Sequence, residues 1–570
     1  MKLWHRLGAH PDSGGGWRFG VWAPNAREVQ VIGDFSGWWP DDGVPLEKLE
    51  NGVWHGLDRR AVAGQRYRYR VLGADGQWAY RSDPLAFATE CPPDNASILY
   101  SSSYAWGDEE WMASRRGDHH ARPVSVYEVH PGSWRQGLSY KELADELVAH
   151  VTELGFTHVE FLPVMEHPFG GSWGYQVTGF YAPTARFGSP DDFRHLVDRL
   201  HQAGVGVLLD WVPAHFPRDE WALARFDGTC LYEHPDPRRG EHPDWGSLVF
   251  NFGRWEVKDF LIENALYWCE EFHVDGLRVD AVASMLYLDY SREPGEWAPN
   301  CFGGNTNLEA VDFIKELNSR VYAEHPGVVM VAEESTAWPG VTKPVDWDGL
   351  GFGLKWNMGW MHDTLQYFVR EPLFRRYHHN TLTWPAYYAG QEHFMLSLSH
   401  DEVVHGKRSL LSKLPGDRWN RLAGLRGLLA YMWAFPGKKL LFMGGELAQE
   451  SEWGEQHSLD WSNLDGGLLS LVRDLNAVYR SQPSLWGDSL AWLHEDPQRN
   501  TVAFERGDVV GVFNFSGLHQ TIHLPAVQGW HEVLNTDAEC YGGTGAGNLG
   551  RIRTDRVYIG PHAGVLLAKR

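Results

Sequence analysis

The stretch Asp275–Ala281, DGLRVDA, has the short length and apolar flanks of a buried β-strand. Residues two apart on a strand point to the same side, so Arg278 and Asp280 are expected side by side at the strand's end. An aspartate beside an arginine stays ionised well below neutral pH, which suits a nucleophile or an electrostatic stabiliser. A structural salt bridge would use the same two residues, and the heptapeptide alone does not separate the two interpretations.

Outward from this stretch, strand-like and helix-like segments alternate over more than 300 residues. This alternation favours a parallel (β/α)8 TIM barrel, and a doubly wound sheet is disfavoured because no GxGxxG follows a strand. Long segments after the second, third and fourth strands would then lie at the C-terminal mouth, where such barrels carry their chemistry. The predicted strands cover residues 124–130, 158–164, 205–212, 276–281, 328–332, 351–358, 394–398 and 439–443, and the predicted helices cover residues 140–154, 189–203, 258–272, 307–318 and 419–434.

The regions on either side of the barrel have a different pattern. Residues 1–105 alternate apolar and polar positions between turn signals, which predicts an N-terminal β-sandwich. Residues 106–122 are polar and charged and are predicted to be a linker, so the catalytic barrel would occupy residues 123–484. Residues 485–570 contain short β-like runs and Gly-rich turns, which predicts a C-terminal all-β domain.

Composition narrows the possible functions. The 51 basic and 74 acidic residues give a net charge of −23, which makes nucleic acid and an anionic membrane poor partners. Aromatic residues make up 14% of the chain, including 29 Trp, and aromatic faces pack well against sugar rings. Carbohydrate is therefore a favoured ligand.

The cysteines and the N-terminus indicate the compartment. Five scattered cysteines without a CxxC pair indicate reduced thiols and argue against a zinc site or a disulfide framework. Residues 1–6 lack the apolar core of a secretory signal, and no apolar run is long enough to span a bilayer. We expect a soluble cytoplasmic protein, a monomer or weak oligomer, with no metal and no cofactor.

Four of the predicted strands end in a carboxylate. One acidic residue at a strand end can be a helix cap, but four in one barrel, with Arg and two His between them, indicate a site. Two carboxylates that flank a bond suit glycoside hydrolysis or transfer. The residues concerned are Asp210, His215, Arg278, Asp280, Glu333, His400 and Asp401.

These four segments, in this order, resemble the four motifs of the α-amylase superfamily of glycoside hydrolases and transglycosylases. The resemblance implies that Asp280 is the nucleophile, Glu333 the general acid/base and Asp401 the transition-state stabiliser. It also implies that Asp210, His215, Arg278 and His400 hold the sugar. Glu334 is the rival to Glu333, because adjacent strand residues face opposite ways and only one of the two can point into the mouth.

Longer stretches resemble the glycogen (1,4-α-glucan) branching enzymes within that superfamily. They cover residues 127–134, 172–183, 278–290 and 304–311, and Tyr175 would be the aromatic floor under the cleaved glucose. The resemblance implies an α-1,4-glucan or glycogen substrate and transfer of a cut chain to a 6-hydroxyl through a glycosyl-enzyme. Retention of configuration predicts that the carboxyl groups of Asp280 and Glu333 lie about 5–5.5 Å apart.

Two alternatives stay open. A hydrolase on the same fold, such as a maltooligosyltrehalose trehalohydrolase or a debranching enzyme, would share the four motifs. A non-catalytic glucan-binding protein is the alternative from another class.

Many amylases carry an Asn as a calcium ligand where this chain has Ala214, so no calcium is expected there.

The N-terminal region also resembles the carbohydrate-binding sandwich of branching and debranching enzymes, through residues 19–26 and 33–38. By that resemblance four tryptophans are candidates for stacking on glucan, although a place in the core or at a domain interface is at least as good an explanation for each. They are Trp38, Trp39, Trp54 and Trp78.

Overall fold

Eight parallel strands form a closed barrel at the centre of the chain. The computed structural model describes residues 2–115 and 117–569. The barrel strands follow one another in chain order, and Val126 on the first pairs with Leu440 on the last, which closes the barrel. This confirms the predicted TIM barrel over a doubly wound sheet. Numbered β1 to β8, the strands are Ser125–Val129, His158–Phe161, Gly206–Trp211, Gly276–Val279, Val329–Ala332, Leu354–Trp356, Phe394–Leu398 and Lys438–Phe442.

Helices surround the barrel. The helix Pro190–Gln202 shows why they begin where they do, because Ser189 and Asp192 form a reciprocal capping box and Pro190 occupies the first turn. Among the described residues only a short 3₁₀ turn, Val345–Trp347, lies between β5 and β6. The principal helices are Tyr140–Glu153, Pro190–Gln202, Trp255–Glu271, Val282–Leu286, Leu308–Glu324, Met358–Phe368, Arg418–Ala434 and Gly466–Ser481.

The N-terminal region folds as two antiparallel sheets. The strand Arg66–Leu72 turns Tyr67, Tyr69 and Val71 into the core and its arginines outward, as its alternation predicts. One sheet contains Gly8–Pro11, Trp17–Trp22, Val53–Asp58 and Glu47–Lys48, and the other contains Val44–Pro45, Glu28–Gly33, Arg66–Leu72, Trp78–Arg81 and Ser97–Ile98.

The four candidate stacking tryptophans have different environments. Trp54 is buried, and its indole N–H donates to the Ala23 carbonyl at 2.9 Å, so it is a core residue and not a platform. Trp78 stacks under the Arg70 guanidinium at 3.8 Å, and the indole N–H of Trp38 donates to a carboxylate within the same domain at 2.9 Å. Trp39 is 69% exposed and is the one of the four that presents most of its ring to solvent.

The predicted linker, residues 106–122, packs against the N-terminal end of the barrel. It contains the helix Glu109–Ser114, and its Asp108 is buried. The His201 ring lies between two carboxylates, with Nδ1 2.7 Å from Asp108 and Nε2 2.8 Å from Asp275. Burial lowers the pKa of His201, but these two carboxylates raise it to about 9, so the ring is an imidazolium at neutral pH. The segment is therefore held to the barrel by a buried ion network.

The C-terminal region is all-β and packs its aromatic residues on the helix Arg418–Ala434. Phe513 and Phe515, for example, lie 5.4 and 5.8 Å from the Tyr431 ring. The strands are Ala491–Asp496, Thr501–Arg506, Val509–Asn514, His531–Asn535 and Ala563–Ala568 in one sheet, with Gln520–His523 and Arg556–Ile559 as a separate pair.

Three further observations concern the whole chain. None of the helices in the described ranges is long and apolar enough to cross a membrane. All five cysteines are free thiols. Met1 and Arg570, at the ends of the predicted terminal domains, and Arg116, in the predicted linker, lie outside the described residues. The exact domain boundaries near residues 105, 122 and 484 stay a prediction.

Candidate active site

One guanidinium connects carboxylates from three neighbouring strand ends. Arg278 Nη1 donates to both carboxylate oxygens of Asp210, at 2.7 and 2.8 Å, and to Asp280 Oδ1 at 2.8 Å. Arg278 Nη2 lies 3.1 Å from Glu333 Oε2. The guanidinium is 1% exposed and stacks over Trp356 at 4.2 Å. Arg278 therefore brings three of the predicted site carboxylates together.

The backbone after Asp280 is strained in a way that positions Glu333. Ala281 has φ of 51°, in the left-handed region that costs about 1 kcal/mol or more for a residue other than glycine. Its N–H donates to Glu333 Oε2 at 2.7 Å, and the next N–H, from Val282, donates to the Glu333 carbonyl at 3.0 Å. The residue that follows the proposed nucleophile thus holds the proposed acid/base in place.

Glu333 and Glu334 face opposite ways, as strand geometry predicts. Glu334 is buried against Lys355, with Oε2 2.8 Å from Nζ, and accepts the backbone N–H of Thr336 at 2.9 Å. Glu333, and not Glu334, contacts Arg278. The geometry is what the assignment of Glu333 to the mouth requires.

The ring of His400 joins the same cluster from β7. Its Nε2 lies 3.1 Å from the Tyr175 hydroxyl and 3.5 Å from Asp401 Oδ1. Tyr175 donates its hydroxyl proton to Asp210, and its ring stacks on His400 at 5.6 Å with a 25° angle. Burial lowers the pKa of His400, but Asp401 and Glu128 raise it to about 10. His400 is therefore a cation at neutral pH.

His215 lies apart from this network. Among the described residues its Nδ1 has no hydrogen-bond partner, and burial lowers its pKa to about 4, which keeps the ring neutral. The ring packs against Trp245 at 4.9 Å, and Trp245 in turn lies 6.1 Å from Tyr290. Burial raises the pKa of Tyr290, and the carboxylates of Glu333 and Asp280 raise it further. This tyrosine therefore lies close enough to both carboxylates to interact with their charges. In the part of the chain that the structure describes, His215 shares no hydrogen bond or ion pair with the carboxylate cluster and packs against the aromatic residues of the rim.

The acid–base properties of the two central carboxyls differ in a useful way. Burial raises the pKa of Glu333 to about 7 against the effect of Arg278, and Asp280 and Asp401 add to the rise. Burial also raises the pKa of Asp280. Arg278 lowers this pKa, Asp210 and Asp401 raise it, and the net result is a pKa of about 6. The prediction that Arg278 keeps Asp280 ionised well below neutral pH is therefore wrong, because burial and two like charges outweigh the effect of one cation on the pKa. The pKa of Asp280 is still the lower of the two, so Asp280 loses its proton before Glu333 does.

Asp401 has the lowest proton affinity of the three proposed catalytic carboxyls. Burial raises its pKa, but His400, Arg278, Lys407 and His405 lower it below the usual value for aspartate. It therefore stays charged over the range in which Asp280 and Glu333 titrate.

Sequence reasoning assigned no role to several residues that surround the cluster. Trp356 lies under Arg278, and Glu128 accepts from His400 Nδ1 at 2.6 Å. Trp173 donates its indole N–H to Glu455 at 3.0 Å and stacks on the ring of His405 at 5.3 Å. A carboxylate inside the apolar strand 124–130 is the one signal that could have indicated Glu128.

Family models match all three parts of the chain. The model for carbohydrate-binding module 48 (isoamylase N-terminal domain) matches residues 6–86, that for the alpha amylase catalytic domain matches residues 144–227, and that for the alpha amylase C-terminal all-beta domain matches residues 492–566. A solved pullulanase from Bacillus acidopullulyticus is similar to 99% of the chain with a TM-score of 0.74 and 17% identity, over 75% of its own length. At that identity the likeness shows the fold alone.

Curated relatives are much more similar in sequence. The 1,4-alpha-glucan branching enzyme of Thermobifida fusca (strain YX) is 59% identical over 97% of this chain and 77% of its own length. Those of Frankia casuarinae and Leifsonia xyli subsp. xyli are 58% and 54% identical, over 97% and 99% of this chain and 72% and 80% of their own lengths. With such identity over nearly the whole chain, the protein belongs to the family of 1,4-α-glucan branching enzymes.

Proposed function

We propose that this protein is a retaining transglycosylase that cuts α-1,4-glucan chains and transfers the cut segment to a 6-hydroxyl, which forms an α-1,6 branch. The observation that carries the chemistry is the contact of one buried guanidinium with Asp210, Asp280 and Glu333. Burial raises the pKa of Asp280 to about 6 and that of Glu333 to about 7, the order that suits a nucleophile and a general acid. The branching-enzyme relatives support transfer over the hydrolase alternative.

In the first half-reaction, the Asp280 carboxylate attacks the anomeric carbon while the C1–O4 bond breaks. Glu333 gives its proton to the departing O4, so the released chain end leaves as a neutral alcohol. The product is a glycosyl ester on Asp280 and an ionised Glu333. Asp401 stays charged throughout and stabilises the positive charge that develops on the sugar ring.

In the second half-reaction, Glu333 takes the proton from a 6-hydroxyl of an acceptor chain. That oxygen attacks the anomeric carbon, the ester bond to Asp280 breaks, and both carboxyls return to their starting states. Tyr175 forms the floor under the sugar, and Asp210, Arg278 and His400 bind around it. His215 approaches from the rim. The predicted separation of about 5–5.5 Å between the two central carboxyl groups stays a prediction.

Amylose with iodine provides the test. Branching should lower the stain with little gain in reducing ends until the branches are cut, whereas a hydrolase releases reducing ends from the start. Asp280→Ala should abolish branching while binding to amylose persists, because the side chain is needed for bond formation and not for the aromatic contacts. Reducing ends that rise from the start, or turnover by the Asp280 variant, would contradict the proposal.

We also propose a cytoplasmic location, a monomeric or weakly associated state and glucan as the partner. The five free thiols and the net charge of −23 support the first of these and argue against nucleic acid.

A further inference from the structure

A buried carboxylate beneath the site makes two hydrogen bonds to a single residue. Glu128, on β1, has no exposed side-chain surface. Its Oε1 lies 2.6 Å from His400 Nδ1, and its Oε2 accepts the backbone N–H of the same residue at 2.9 Å. A carboxylate that accepts from both the ring and the backbone of one histidine fixes the ring's rotation as well as its position.

The hydrogen bond at Nδ1 decides what the other ring nitrogen can do. With a carboxylate at Nδ1, that nitrogen carries a proton, and Nε2 is left to face Tyr175 and Asp401. Because the Tyr175 hydroxyl already donates to Asp210, its oxygen can accept only if Nε2 also carries a proton. The hydrogen-bond pattern therefore requires His400 to be doubly protonated.

We propose that Glu128 is a positioning residue of this site, which acts through His400 by aiming its Nε2–H into the mouth and retaining its second proton. Glu128 touches neither the nucleophile nor the acid/base in any contact between described residues, so its effect passes through the histidine. The consequence for glucan turnover rests on the proposed function.

The neighbouring strand offers a matched control. Glu160, on β2, is the register partner of Glu128 and is equally buried, but neither of its carboxyl oxygens has a hydrogen-bond partner among the described residues. Burial, Glu128 and Asp210 raise its pKa well above the usual value, which favours the protonated form. Glu160→Gln keeps the size and shape of the side chain and removes no hydrogen bond between described residues.

Other charged and titratable groups also face His400. They are Asp401 on the same turn, Glu160 on β2, Asp210 on β3, Arg278 on β4, Tyr175 in the loop after β2 and His130 in the turn after β1. The carboxylates of Asp401 and Asp210 favour the His400 cation, whereas Arg278 and His130 disfavour it. Removal of Glu128 alone therefore weakens the preference for the cation but does not abolish it.

Glu128→Gln should damage the arrangement without changing its size. An amide presents one oxygen and one NH2 group to two N–H donors, so one of the two hydrogen bonds is lost. We expect kcat/KM for amylose branching at pH 7 to fall by about 10- to 100-fold, by analogy with the loss seen when the partner that orients a metal-binding histidine is removed. Glu160→Gln should stay within about twofold of the parent, because it alters no hydrogen bond of the site.

A double-mutant cycle separates positioning from a structural role. In a His400→Asn background, Glu128→Gln should cost little more, because the residue through which Glu128 acts is gone. An equal further loss in that background would overturn the proposal, as would a Glu128→Gln enzyme as active as the parent. If Glu128→Gln does not fold, Glu128→Asp is used in its place, because the shorter side chain moves the carboxylate away from His400 by one methylene. An unaltered rate for Glu128→Asp overturns the proposal.

A measurement on the resting enzyme keeps this proposal separate from the proposed function. NMR of histidine labelled with ¹³C at Cε1, with the His400 signal assigned by its loss in His400→Asn, reports the protonation state without turnover. In the parent and in Glu160→Gln the signal should stay that of an imidazolium past pH 8, and in Glu128→Gln it should titrate at least about one pH unit lower than in the parent. An unchanged titration overturns the positioning role. A parent that makes no branches but shows the expected titration leaves that role standing and refutes the proposed function instead.

Discussion

The pH dependence of branching tests the site most directly. The reactive form needs Asp280 without its proton and Glu333 with it, and their pKa values are about 6 and about 7. Two such ionisations leave about 0.6 of the molecules in the reactive form at pH 6.5, and about 0.1 at pH 5 and again at pH 8. We therefore expect kcat/KM to pass through a maximum near pH 6.5 and to fall about sevenfold on each side.

Initial rates of iodine-stain loss, with amylose far below KM and each sample brought to one pH before staining, measure this profile for the free enzyme. Glu334→Gln is a suitable control: it gives up one of two hydrogen bonds, from Lys355 or from the Thr336 N–H, but it lies outside the Arg278 contacts. The absolute rate can therefore fall, while the pH values at which the rate declines on the acid and alkaline sides should be unchanged. A rate that varies less than about twofold between pH 5 and pH 8, or one that rises or falls across the whole range, would refute the assignment of these two carboxyls.

Two further predictions concern stability. Burial lowers the pKa of His201 while its two carboxylate partners raise it from 6.5 to about 9, so its contribution of about 3 kcal/mol is complete below pH 6.5 and is lost as pH rises through about 9. Calorimetry should show a lower Tm for His201→Gln at pH 6 and a smaller deficit at pH 10; an equal deficit at both would contradict the ionic origin. Gly276→Ala would place a Cβ 2.4 Å from the carbonyl oxygen of Val329, so we expect a loss of about 1–3 kcal/mol, and a Tm equal to the parent's would show that β4 can shift.

Periodicity was enough to predict the barrel, because all of its strands except the less regular segment 351–358, and most of its helices, have the apolar spacing of their type. The side-by-side placement of Arg278 and Asp280 followed from the two-residue period of a strand, and their Nη1–Oδ1 distance is 2.8 Å. The same period predicts that the side chains of Glu333 and Glu334 point to opposite faces of the strand, but it does not tell which one points into the mouth. That choice depends on Lys355, on the next strand, which binds Glu334 away from the mouth.

Properties that sum over distant residues were beyond the sequence. The pKa of Asp280 depends on burial and on Asp210 and Asp401, which join it only when the barrel closes. Trp54 lies on a strand whose two faces the sequence does not tell apart, and the structure buries it with its indole N–H donating to the Ala23 carbonyl. Glu128 could be seen in the sequence, but its partner His400 could not, because the two meet only when the barrel closes and a single strand, β8, separates β7 from β1.

The buried position of Asp108 has a consequence for dissecting the chain. A truncated chain that begins at residue 123, where the barrel pattern starts, would lose both Asp108 and the indole of Trp111 that donates to Asp275 at 2.9 Å. It would uncover the His201 ring, on which Trp111 stacks at 5.2 Å, and leave the His201 cation with one carboxylate in place of two. We therefore expect a stable catalytic fragment to begin earlier than the repeating pattern does, and chimaeras with other N-terminal modules should be joined upstream of Asp108.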